Sequence, residues 1–168
     1  MKHKKAISLL VSFILVVSLG TTAFASSSTT ANVPVTLTVA NEYRAVNVTV
    51  PASLPVSVIN GTVVVADNAK ITNNSKASDI QVTKLSVTDG AYKIGNYDDF
   101  NGSRTIALKI NGCVTKGDGN VKITKDTFPV IKAQQSLPLN YFAKVSGDAP
   151  NTEGVNAATV VFTISTVD

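Results

Sequence analysis

Side chains that could carry chemistry are scarce in this 168-residue chain, and the missing types decide more than the present ones. The one histidine is His3 and the one cysteine is Cys113. His3 falls in a segment that reads below as a removable leader, so the remaining chain has no imidazole. A Ser-His-Asp triad, a Cys-His pair and zinc sites built on histidine are therefore excluded. A solitary cysteine likewise forms no intramolecular disulfide, no Cys-x-x-Cys redox pair and no cysteine-rich metal site. No Ser-x-x-Lys, no phosphate-cradling Gly-x-x-x-x-Gly-Lys-Ser/Thr and no Gly-x-Gly-x-x-Gly is present. The sequence predicts a protein that is not an enzyme, with no catalytic residues and no resident metal or cofactor.

Oxygen ligands are concentrated in Asn96-Tyr97-Asp98-Asp99-Phe100-Asn101-Gly102 and in Lys116-Gly117-Asp118-Gly119-Asn120. Such segments can coordinate calcium. Setting Gly102 at the turn glycine of an EF-hand loop puts Tyr97 at the first ligand position and Leu108 at the last, and neither supplies a carboxylate. Asp, Asn and Gly are also what tight loops between strands use, and that is the simpler reading. A carboxylate pair for glycoside hydrolysis needs no histidine, but with no Trp the chain is poor in rings for a sugar-stacking cleft. Asn47-Val48-Thr49, Asn60-Gly61-Thr62, Asn73-Asn74-Ser75 and Asn101-Gly102-Ser103 have the form of glycosylation acceptors, a form that turn chemistry also produces.

The residues that could touch a ligand must be positioned by something, and the chain's organisation says what. Residues 1–25 combine a basic head (Lys2, Lys4, Lys5), an uncharged apolar run over 6–20 and the small-residue exit Ala23-Phe24-Ala25. That is the pattern of a secretory signal peptide cleaved after Ala25, and its apolar run is shorter than the ~20 residues that span a bilayer. Removing it takes away three of 15 basic residues and leaves 12 against 11 acidic ones. The chain that remains is nearly neutral, with lysines interleaved among acids, so nucleic acid is not an expected partner and no membrane span is expected. No cysteine follows the cleavage point to take a lipid, and Leu137-Pro138-Leu139-Asn140 lacks the Thr-Gly of a sortase signal. Any hold on a cell is expected to be non-covalent or through a partner.

After the leader, Val and Thr dominate while Leu is scarce and Met absent, a composition that favours strands over helices. Apolar and polar residues alternate along most of the chain, and Gly, Asn, Asp and Pro separate short runs that are expected as strands, Phe128 to Lys132 among them. The expected fold is all-β: a single antiparallel β-sandwich, Ig-like or jelly-roll, over residues 33–168, preceded by a flexible Ser/Thr/Ala tail at 26–32. A two-residue hairpin at Asn60-Gly61 would set Ile59 opposite Thr62, Val58 opposite Val63, Ser57 opposite Val64 and Val56 opposite Val65. A second at Asn111-Gly112 sets Ile110 opposite Cys113, so that the thiol joins the face of Ile106 and Leu108 and is expected in the core. Two long alternating runs, 137–145 and 158–166, are expected to form the central strand pair, joined by a loop over 146–156.

Ile71-Thr72-Asn73-Asn74-Ser75, Ile80-Gln81-Val82-Thr83, Leu137-Pro138-Leu139-Asn140-Tyr141 and the strand Ala158-Thr159-Val160-Val161-Phe162-Thr163-Ile164 together resemble small secreted surface proteins of Gram-positive bacteria with Ig-like or jelly-roll modules. These include the TasA/camelysin-type fibre subunits. The similarity spans roughly residues 33–168. It implies a secreted or cell-surface structural protein of an extracellular matrix. The metallopeptidase activity claimed for camelysin-like proteins does not carry over, because no histidine is available to hold zinc.

Two functional expectations follow. In the first, the chain is a structural or adhesive subunit that assembles with itself or with other envelope proteins, and Val33, Val35, Leu37 and Val39 form an alternating N-terminal segment able to complete a neighbour's sheet. The same run can also be simply the first strand of its own domain. In the second, loops at one end bind cell-wall glycan or another surface polymer, with Tyr92, Tyr97, Asp98, Asp99 and Phe100 as contacts.

Overall fold

The computed structural model describes residues 28–39, 46–148 and 154–167. The expected leader, the start of the tail and the middle of the 146–156 loop lie outside them. The described residues are all β, with no helix. In chain order the strands are β1 (Ser28–Val39), β2 (Val48–Thr49), β3 (Ser53–Ile59), β4 (Thr62–Val65), β5 (Lys70–Asn73), β6 (Asp79–Asp89), β7 (Lys93–Ile94), β8 (Thr105–Ile110), β9 (Cys113–Val114), β10 (Asn120–Val121), β11 (Ser136–Pro138), β12 (Tyr141–Val145), β13 (Val155–Asn156) and β14 (Ala158–Val167).

They make three sheets. The largest runs β10-β6-β14-β1-β3-β4, with β13 also on β1; a second runs β11-β5-β2; the third runs β12-β8-β7, with β9 on β8. Pairing is antiparallel except where β1 meets β13 and β14 and where β7 meets β8, which are parallel. The expectation of a purely antiparallel arrangement is corrected at these places. Parallel neighbours cannot be joined by a tight turn, and for β1 and β14 almost the whole chain serves as the connection.

Both Asn-Gly hairpins have the register read from the sequence: Val56↔Val65 through Ile59↔Thr62, and Ile110↔Cys113. Asn60, Gly61, Asn111 and Gly112 all have positive φ, as the two-residue turn that matches strand twist requires. Cys113 is buried.

The longest ladder joins β6 to β14, and it slips by one residue between Thr163 and Ile164. The slip follows from the order of apolar residues in β6. Ile80 and Val82 alternate, Thr83 and Lys84 are both exposed, and Leu85 and Val87 alternate again. A bulge absorbs the extra residue and keeps all four apolar side chains on one face. Opposite them Ala158, Val160, Phe162 and Ile164 are fully buried. Phe162 packs on Phe128 with ring centroids 6.3 Å apart; burial of each such side chain contributes about 1.5–3 kcal/mol.

Three further expectations are revised. The run 137–145 is not one strand and does not pair with 158–166. It breaks at Leu139-Asn140 into β11 and β12, which belong to different sheets; β12 pairs with β8, and β14 pairs with β6 and β1. The break is pinned from outside, since Leu139 N donates to Ala69 O and Asn140 N to Asn111 Oδ1. Residues 28–32, expected as flexible tail, are already strand, paired with β3 from Ser28↔Ile59 onward. Phe128 to Lys132, expected as a strand, is irregular apart from one bridge between Ile131 and Ile80.

Candidate functional site

Two places correspond to the sequence-derived site residues: the N-terminal strand, and the loop after β7.

β1 changes partners along its length. Ser28–Pro34 run antiparallel to β3, Ala31 and Asn32 also lie beside β13, and Val35–Val39 run parallel to β14. Alternation sets its inward face: Ala31 and Val33 are buried, while Val35 and Leu37 are half-buried against the core. Val39 lies within the strand, matched with Ile164. Pro34 sits at the seam, after the β13 pairing and one residue before the β14 ladder begins. It is also the last residue matched to β3, opposite Ser53, and as a proline it offers no N–H to either neighbour. β1 is thus held in its own chain's sheet, each half by a different set of neighbours.

The loop carries Tyr97, Asp98, Asp99 and Phe100, with Tyr92 preceding β7. The structure does not gather these five side chains on one surface. Tyr92 is buried in the core, and Phe100 is half-buried beside Gly95, where a Cβ would stand 3.5 Å from its ring and 2.5 Å from Thr105. Tyr97, Asp98 and Asp99 face outward to varying degrees. Lys144 Nζ lies 4.6 Å from the Tyr97 ring centroid and donates to Tyr97 O at 2.8 Å, a cation over a ring face. Lys116 pairs with the Asp98 carboxylate. The hydrogen bond from Lys116 holds the Asp98 carboxyl below its usual range, aided by the charges of Lys116, Lys144 and Lys109. Asn96 Oδ1 accepts from Asp98 N, and Asn101 Nδ2 donates to Asp99 O. These are local loop-closing bonds of the kind Asx turns make. Among the described residues, no three His, Cys, Asp or Glu side chains gather as a metal site.

Sequence reasoning did not find two polar knots. Asp148 accepts hydrogen bonds from the Ser103 hydroxyl and from Arg104 N. Chiefly through Ser103, then Ser146 and Arg104 N, its carboxyl is lowered to about 2. Arg104, with φ of 50°, is held there in the left-handed region, beside a surface depression of about 550 Å³ lined also by Asp89, Tyr92 and Lys93. The second knot is Asn73, fully buried, whose Nδ2 donates to Ser78 O and Ile131 O while Oδ1 accepts from Ser75 N. Its Asn-Asn-Ser sequence resembles a glycosylation acceptor, but the amide is consumed inside the fold. An Asn followed two residues on by Ser is the signal for such a self-bonded turn.

Tyr141 ties β12 to the β3–β4 hairpin. Its hydroxyl donates to Pro55 O at 2.7 Å and accepts from Ala66 N at 3.0 Å. Burial pushes the phenol above its ordinary value, partly offset by the bond from Ala66 N. Among the described residues, no helix is long and apolar enough to cross a membrane.

Comparison of the chain with protein-family models, with curated proteins and with solved structures finds no match.

Proposed function

We propose that this chain is a secreted structural or adhesive subunit of a cell-surface matrix, acting by self-assembly, with β1 as the element that can pass between copies. In this reading the three sheets wrap one core as a β-sandwich of Ig-like or jelly-roll type. The observation that carries it is the seating of β1. The segment lies at the start of the described chain, runs beside β3 over Ser28–Pro34 and beside β14 over Val35–Val39, and is anchored by side chains at alternate positions, Val33 the deepest. A strand held by main-chain bonds and alternate pockets can be supplied equally by the same strand of a neighbour. The likeness to TasA/camelysin-type fibre subunits points the same way. Chemistry requiring a mobile proton finds little support, since the chain past the leader has no histidine.

The test begins with the chain expressed from Ser26. Electron microscopy and light scattering at rising concentration should show growing particles. A variant lacking residues 26–40 should no longer polymerise, and a labelled peptide of residues 26–41 should bind it and restore cooperative unfolding. Wild-type protein that stays monomeric at every concentration while pelleting with cell walls would overturn the reading. The alternative, recognition of wall glycan or another surface polymer, has less behind it: two of the five candidate contacts, Tyr92 and Phe100, are turned wholly or partly inward, and two more, Tyr97 and Asp98, are engaged by lysines.

A further inference from the structure

Between Arg44 and Asp67 lie 22 consecutive residues without an ionisable side chain. They include the β3–β4 hairpin, and β4 is the last strand on its side of the largest sheet. The pairing register says which way its main chain points. In a two-residue hairpin the pair flanking the turn, Ile59↔Thr62, exchanges both hydrogen bonds, and bonded and non-bonded pairs then alternate. Ser57↔Val64 is therefore bonded, while Val58↔Val63 and Val56↔Val65 are not. The N–H and C=O groups of Val63 and Val65 consequently face away from β3, and among the described residues they have no main-chain partner. β12 packs against β4, and its Tyr141 hydroxyl bridges Pro55 O and Ala66 N just past the strand.

Folded proteins usually guard such an edge with lysine, proline or a bulge. β4 has none of these: it reads Thr-Val-Val-Val, and its ladder with β3 runs without a register shift. The opposite edge of the sheet ends in β10, two residues long, with Lys122 directly after it and Asp118 two residues before it. Val64 and Ile59 are 47% and 41% exposed, two of the most exposed large apolar side chains described.

We propose that β4 is a docking edge for β4 of a second copy of this chain, the two strands antiparallel about a two-fold axis at Val64. The outward groups determine that register. Val63 pairs with Val65 of the second copy and Val65 with its Val63, making four hydrogen bonds, and the two Val64 residues face each other as a non-bonded pair. The sequence Val63-Val64-Val65 reads the same in both directions, so each donor meets an acceptor and each side chain its own kind. The absence of charge over residues 45–66 leaves nothing to repel an identical edge. A contact of four residues is weak alone and gains strength where copies are already arrayed. The inference rests on self-assembly as the function, but it uses a surface separate from β1.

Cross-linking tests it in the chain expressed from Ser26. Cys113 is buried and serves as the silent native thiol. In the two-fold pair the Val64 Cα atoms stand about 4.5 Å apart, within disulfide reach, whereas the Thr62 Cα atoms are four strand positions apart, about 13 Å. Under mild oxidation with diamide, Val64→Cys should form disulfide dimers at least about 10-fold faster than Thr62→Cys, since only the former satisfies disulfide geometry. Equal rates for the two cysteine variants, or no dimer from either, overturn the inference. Light scattering on the same samples reports assembly separately: growth without selective cross-linking removes the β4 contact and leaves the proposed function standing, and selective cross-linking without growth does the reverse.

Discussion

Replacing Tyr141 by phenylalanine removes one oxygen atom and, with it, two hydrogen bonds between β12 and the β3–β4 hairpin. The ring is 2% exposed, so its packing survives and the change isolates the hydroxyl. Pro55 O loses its donor at 2.7 Å and Ala66 N its acceptor at 3.0 Å. A net hydrogen bond contributes about 1 kcal/mol, and a buried group left without a partner costs about 1–3 kcal/mol. Because both partners are partly buried, the expected loss is about 2 kcal/mol, or roughly 5–8 °C in Tm for a chain of this size. Urea unfolding followed by circular dichroism should show a lower midpoint with unchanged slope. The alkaline limb gives a second readout. The native phenol is raised above 10, so the unfolded state releases this proton first; stability is complete below pH 10 and is lost as pH rises through the native value. Tyr141→Phe should flatten that decline. A loss below about 0.5 kcal/mol, the range of ordinary surface substitutions, with an alkaline limb unchanged from wild type, would refute the reasoning.

Asn73→Ala should cost about 2–4 kcal/mol, measured by urea unfolding, because Ser78 O and Ser75 N lose their partner inside the fold while Ile131 O keeps Ile80 N. Asp148, lowered to about 2, contributes stability that is complete above the unfolded value near 4 and drains away as pH falls towards 2. Thermal melts from pH 6 to 2 should therefore fall less steeply for Asp148→Asn than for wild type, with Asp79, Asp98 and Asp118, also lowered, contributing to the remaining slope. Cys113 should resist Ellman's reagent in the folded protein and react within seconds in 6 M guanidinium; immediate reaction of the native thiol would contradict its place in the core.

The features legible in the sequence are those set by short-range geometry. Asn60-Gly61 and Asn111-Gly112 dictate a turn type, the turn dictates a register, and the register carries Val56, Val65 and Cys113 to their faces. Long-range pairing left no such mark. Nothing local in Val33 to Val39 announces a parallel partner at the far end of the chain. The run 137–145 alternates without interruption, yet Asn111 and Ala69 divide it between two sheets. The candidate loop failed as a cluster for a related reason. Its aromatic and acidic types were visible, but the space beside Gly95 that takes Phe100, and the lysines from β12 and from beyond β9 that engage Tyr97 and Asp98, come from distant segments. Composition alone was enough for the all-β class, because β-branched residues so outnumber good helix formers.

The marriage of β1 to β14 has a consequence in time. The first described strand is seated along half its length on the last, Val35 beside Val160. While the chain is still being synthesised, β1 can find β3 but not β14. Topologies closed by contacts so remote in sequence fold slowly, over milliseconds to seconds. For that interval the Ser28–Pro34 half of β1 can already sit on β3 while the Val35–Val39 half waits for its partner.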